Sequence, residues 1–227
     1  MDQAKFTPDL QLQTLFELNG QHRILSTREP NPSPGPTFSL IRSATSCAWA
    51  VQADIPEELA RELSQLAQEE RPGRDFRDAP MHADRYVSLV SGEMECGPAF
   101  VFPDAISEPA DIVVVEDVLL LAHHFRGWVA EEISGRSPIL AVVEDGQAVS
   151  VCFCARRSNV AAEAGLETAA AFRGRGFAAR VTAAWALAIR ASKKIPLYST
   201  SWSNEESLAV ARKLRLVACA SDWSVSG

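Results

Sequence analysis

The chain has 227 residues, 47% of them apolar, and a formal net charge of −7. That is enough apolar chain for one large domain or two small ones. The acidic balance argues against nucleic-acid binding and against a basic membrane-surface role, and leaves a cationic amine open as a substrate.

In chain order, residues 8–18 carry Leu10, Leu12, Leu15, Phe16 and Leu18 and predict a short helix ended by Gly20. His22–Ser26 reads as a strand, and the proline-rich stretch Pro30–Pro36 as a loop. Thr37–Arg42 and Cys47–Gln52 predict a hairpin. Asp54 followed by Glu57 has the form of a capping box, with Pro56 between them. Leu59, Leu63 and Leu66 carry the helix to about Glu70. Arg71–Pro80 is loop, Met81–Gly92 a second helix and Ala99–Phe102 a strand. Pro103–Pro109 reads as a linker, so the chain divides into residues 1–108 and 109–227.

The second half predicts a strand at Ile112–Val115, then a helix over Asp117–Ile133 broken at Gly127. Ile139–Glu144 and Ala148–Ala155 form a hairpin about Asp145-Gly146. A strand over Val160–Thr168 precedes a helix over Gly176–Lys193, whose Phe177, Val181, Trp185 and Ala188 share one face. Leu197–Ser201 is a strand, Asn204–Leu214 a helix, and Leu216–Val225 contains a closing strand.

The five cysteines are scattered and odd in number, without zinc spacing, and read as reduced; no metal is implied. Met1–Lys5 lacks a basic region followed by an apolar run, and no stretch has the length of a membrane span. The expectation is a soluble cytoplasmic protein.

The richest motif is Phe172-Arg173-Gly174-Arg175-Gly176-Phe177-Ala178, at a strand-to-helix junction. Its two glycines and alanine let the backbone approach a ligand. The first amides of the following helix have no intrahelical partner, and the helix dipole favours an anion there. The local physics predicts a pyrophosphate seat. A dinucleotide fold would put such glycines in the first βα turn, with a carboxylate after the next strand. Here three predicted strands precede them, and the next strand ends in serines.

Arg173-Gly174-Arg175-Gly176-Phe177-Ala178 resembles the acyl-CoA signature of the GCN5-related N-acetyltransferase (GNAT) superfamily. Asn204-Glu205-Glu206-Ser207, followed by Val210 and Lys213-Leu214, resembles its later Asn-x-x-Ala/Ser helix. The resemblance covers roughly residues 110–227. It implies a mixed α/β domain built on a central mixed sheet flanked by helices. The first half, which carries no motif of the superfamily, reads as a smaller N-terminal α+β domain that packs against it and shapes the acceptor site. The resemblance implies that acetyl-CoA is the co-substrate. The amides of Gly174, Arg175, Gly176, Phe177 and Ala178 would hold the pyrophosphate, with Arg173 and Arg175 adding charge. Leu166, Glu167 and Thr168 would pair with the pantetheine arm, while Asn204 and Ser207 would sit near it. The gap between this strand and Leu197–Ser201 would admit the thioester.

The chemistry needs a base, because an amine attacks a thioester only when neutral. Glu163 and Glu167 fall on one face of a regular strand and are the candidates. The superfamily's usual tyrosine acid is replaced by Ala211. Tyr198, Ser199, Ser201 and Ser203 are the nearby hydroxyls. The reading is acetyl transfer to a primary amine, on a small molecule or a protein, by direct attack in a ternary complex. The Ala211 substitution keeps a non-catalytic acyl-CoA sensor or interaction module as the alternative. The sequence leaves a homodimer open. His123 and His124, on a helix, could not both face one site.

Overall fold

The computed structural model describes residues 5–227. The expectation for the N-terminal Met1–Lys5 falls almost entirely outside them. Among the described residues, no helix is long and apolar enough to cross a membrane.

One mixed sheet of eleven strands organises the molecule. The N-terminal segment gives α1 (Pro8–Leu15), β1 (Phe16–Leu18), β2 (Arg23–Thr27), β3 (Phe38–Ser43), β4 (Cys47–Gln52), α2 (Glu57–Glu69), α3 (Ala83–Val90) and β5 (Glu93–Val101). The rest gives β6 (Val113–Val114), α4 (Ala130–Arg136), β7 (Leu140–Glu144), β8 (Gln147–Arg157), β9 (Ala161–Thr168), α5 (Phe177–Ala191), β10 (Ile195–Ser199), α6 (Glu205–Lys213) and β11 (Val217–Ser226). The strand order is β1-β2-β4-β3-β11-β5-β10-β9-β8-β7-β6. The neighbours β2–β4 and β9–β10 are parallel, and the others antiparallel.

Local chemistry explains most boundaries. Thr7 caps α1 by accepting from the Leu10 amide at 3.1 Å, with Pro8 in the first turn. The β3–β4 hairpin is closed by Ser43, whose Oγ accepts from the Ser46 amide. Asp145 and Gly146 both have positive φ, as a tight hairpin turn requires. α5 buries Val181, Trp185 and Ile189 against Leu140, Val149 and Cys152. α2 and α3 cover Phe38, Leu40 and Trp223 elsewhere on the sheet, and α1 packs against Ile41, Ala48 and Ala99.

Four sequence expectations are corrected. The helix expected over residues 8–18 ends at Leu15, and Phe16–Leu18 form β1. Asp54 does not cap α2: Pro56 holds the N-cap position, no side chain caps the helix, and Glu57 pairs with Arg23 at 2.7 Å. The residue before a proline is driven out of helical geometry, which starts the helix late. Asp117–Ile133 is not a helix broken once. It forms a 3-10 turn at Val118–Leu120 capped by Asp117, then isolated turns that bury Leu121 and Phe125, and α4 begins only at Ala130. The strand expected at Ala99–Phe102 is β5, which begins at Glu93, runs nine residues and lies between β10 and β11. Its first half is disguised by Gly97 and Pro98. Pro98 sits just past the β5–β10 ladder, which ends at the pair Ser199–Ala99.

Candidate active site

β9 and β10 pair in parallel only as far as Glu163 and Leu197. Beyond that point β10 pairs with β5 and β9 with β8, so the two strands splay. The opening leads into a cleft of about 780 Å³, whose walls include Leu166, Thr168, Gly174, Gly176, Asn204 and Ser207.

The cleft ends at the start of α5. Gly174 and Gly176 have φ of 74° and 83°, a left-handed backbone that favours glycine. Gly176 is the N-cap of α5, and no side chain caps that helix, so its first amides are free to face an anion. Lys213 reaches the same place from α6: a Cβ built on Gly176 would lie 2.5 Å from its Nζ. Lys213 has no acidic partner among the described residues. In the sequence Lys213 marks only the end of its helix, because a basic residue in the last turn of a helix is commonplace. Arg173 lines the cleft and pairs with Glu206 at 3.1 Å. The Arg175 guanidinium lies over the rings of Phe172 and Phe177 and is not among the lining residues. Phe177 and Ala178 line the seat at the helix start.

Asn204 caps α6, accepting from the Ser207 amide at 3.0 Å. Ser207 Oγ lies 2.6 Å from the Tyr198 hydroxyl, and burial pushes that phenol up to about 12. Ala211 is buried in the core under α5 and presents nothing to the cleft. His124 lines the cleft and meets Phe172 edge-on, whereas His123 is exposed. The two rings meet edge-to-face at 4.4 Å, and only His124 borders the cleft.

Glu167 lies on the cleft wall and accepts from Trp128 Nε1 at 3.3 Å. Glu163 is 2% exposed and fully engaged. Its Oε1 accepts from Ser199 Oγ and from Gln11 Nε2, and its Oε2 from Arg156 Nη1 at 2.9 Å. Arg156 Nη2 continues to Glu29 at 2.5 Å. A bulge between Cys154 and Arg156 places Arg156 opposite Glu163 on the neighbouring strand. No motif marks that bulge, so the arginine was not legible beforehand.

A second cavity of about 630 Å³ adjoins the first. Ser199, Thr200 and Asn204 line both. Its other walls include Glu29, Glu95, Asp222, Arg156, Leu15 and Phe16. Burial pushes the Asp222 carboxyl up to about 7. The Glu163 charge adds to the rise, Arg156 opposes it, and Glu95 adds further. The signal for Asp222 was available: aspartate is disfavoured in strands, and this one sits in the closing strand. Among the described residues, no group of three or more side chains is placed to hold a metal ion.

Residues 140–217 match the family model described as GNAT acetyltransferase. The chain thus carries, within its C-terminal half, a segment similar to that family. The fold agrees with solved GNAT structures at low identity. A GNAT-family protein from Novosphingobium aromaticivorans is 18% identical, with a TM-score of 0.50, over 59% of this chain and 64% of that one, just under two thirds of its length. A GNAT-family acetyltransferase from Colwellia psychrerythraea is 12% identical, with a TM-score of 0.50, over 78% and 75%. A Drosophila protein matches 100% of this chain and 88% of its own length, at 14% identity and a TM-score of 0.50. No curated protein matches the sequence. The mixed α/β sheet flanked by helices is the architecture the GNAT resemblance implied.

Proposed function

We propose that the protein is an acyl-CoA-dependent N-acetyltransferase that moves an acetyl group from acetyl-CoA to a primary amine in a ternary complex. The observation that carries this reading is the meeting of two cavities at Ser199 and Thr200, where β9 and β10 part. One cavity has an anion seat at its end, and the other has a carboxylate-rich wall suited to an ammonium group.

In this reading acetyl-CoA lies in the first cavity. The amides at the start of α5, with Lys213 and Arg173, hold its phosphates. The free edge of β9 near Leu166 and Thr168 takes the pantetheine arm. Its thioester reaches the junction beside Ser199, and Asn204 flanks both sides. Glu163 pairs with Arg156 and accepts from the Ser199 hydroxyl. Glu167 borders the acyl-CoA side. The acceptor, a small molecule or a protein amine, enters from the second cavity. A soluble cytoplasmic setting suits this chemistry.

The test is thiol release from acetyl-CoA with 1,3-diaminopropane as acceptor. Amine-dependent release supports the reading. A protein that binds acetyl-CoA but releases no thiol with any alkylamine would instead support the sensor alternative, which the buried Ala211 keeps in view.

A further inference from the structure

We propose that Asp222 is the catalytic base that takes the proton from the incoming alkylammonium, and that the cavity over Gly97 is the site where that ammonium binds. This rests on the transferase reading above.

The placement comes from register. Asp222 on β11 is paired with Gly97 on β5, and Ser224 with Glu95. Gly97 in turn abuts the segment after β10: a Cβ there would lie 1.7 Å from the Thr200 carbonyl oxygen. Glycine therefore lets the Thr200 backbone pack directly on β5, and Gly97, Thr200 and Asp222 line the same cavity. Thr200 and Ser199 also line the acyl-CoA cleft. A cation against Asp222 thus lies on the acceptor side of the junction where the thioester ends.

Availability separates Asp222 from Glu163. Glu163 has both oxygens occupied, by Ser199, Gln11 and Arg156. It lines neither of these cavities. Asp222 lines the cavity and has no hydrogen bond or ion pair among the described residues, so its oxygens are free to accept. The charged groups around it are Glu163 from β9, Arg156 from β8 and Glu95 from β5. α1 and β1 add the apolar Leu15 and Phe16 to that wall. Burial and two carboxylates outweigh one arginine already shared between Glu163 and Glu29, and Asp222 is left with the proton affinity of a base that works near neutral pH.

The step balances. Asp222 carboxylate takes one proton from the alkylammonium, giving a neutral amine and a carboxylic acid. The amine nitrogen forms a bond to the thioester carbonyl carbon, the carbon–sulfur bond breaks, and the thiolate of coenzyme A leaves. The nitrogen loses its second proton, the thiolate gains one, and Asp222 returns its own to water. The net release is one proton per amide formed.

The experiment compares wild type with Asp222→Asn and Asp222→Glu on two acceptors at pH 7.5: 1,3-diaminopropane, which is protonated, and hydroxylamine, which is already neutral. Acetyl-CoA binding and a thermal melt confirm that each variant is folded. The expected result is a loss of 100-fold or more for Asp222→Asn on the diamine. Its loss on hydroxylamine should be within a few-fold, and Asp222→Glu should recover part of the diamine rate. Equal losses on both acceptors, or no loss on the diamine, would overturn the assignment. A wild-type protein that binds acetyl-CoA and acetylates neither acceptor would remove the transferase reading itself, and the assignment with it.

Discussion

Arg156 holds Glu163 by a single donated bond of 2.9 Å, and the same guanidinium reaches Glu29. One side chain thus ties a buried carboxylate on β9 to a carboxylate in the loop after β2.

Removing that guanidinium would leave the buried Glu163 carboxyl without its ion-pair partner. A fully buried pair broken on one side costs about 3–5 kcal/mol, but Arg156 is 30% exposed, so water offsets part of the loss. Arg156→Ala should therefore destabilise by roughly 2–4 kcal/mol, read as a lower midpoint in urea unfolding. Glu163→Gln in the same background should recover part of it.

Gly97→Ala should be more disruptive than a methyl group usually is. Its Cβ would collide with the Thr200 carbonyl, which is backbone and cannot swing aside. We expect a loss of about 2–3 kcal/mol, or a fall in Tm of roughly 5–10 °C. The folded fraction should still bind acetyl-CoA, since the α5 seat is untouched.

Lys213→Ala should weaken acetyl-CoA binding by about five- to tenfold, the scale of one charge-assisted contact. The dependence of Kd on ionic strength should flatten in parallel, because a cation next to the anion seat has been removed. A change in Kd that is the same at low and high salt would place Lys213 away from the phosphates.

Asp222 also predicts a pH effect on stability. Its folded value, about 7, is raised above the ordinary 3.8. The folded protein therefore binds more protons than the unfolded chain between those values, and stability falls as pH rises through that window. The stabilisation from a neutral Asp222 is complete below the unfolded value and lost above about 7. Asp222→Asn should be more stable than wild type at pH 8, by about 1–3 kcal/mol, and the gain should shrink towards pH 5. Chemical denaturation at the two pH values measures it.

How much of this was legible in the sequence depended on range. The glycine turn at Gly174 and Gly176, the α5 stripe through Val181 and Trp185, and the Asp145-Gly146 hairpin are local features with local causes, and they could be read directly. The proposed acyl-CoA side of the site follows from them. The acceptor half does not. Asp222, Arg156 and Glu29 meet only because β5 inserts between β10 and β11 and because β8 bulges before Arg156. Neither event has a periodic signature. β5 was half hidden by Gly97 and Pro98, residues that oppose a strand assignment on propensity and are kept there by close backbone packing. Asp117–Ile133 misled in the opposite direction, since its apolar residues bury individually from turns without forming a helical face.

The most direct test of the account is calorimetric titration of acetyl-CoA into the wild type and into Gly176→Trp. The account predicts micromolar binding to the wild type and loss of that binding in the variant, whose side chain would occupy the anion seat at the start of α5. A folded wild-type protein that does not bind acetyl-CoA, or a folded Gly176→Trp that binds it unchanged, would contradict it.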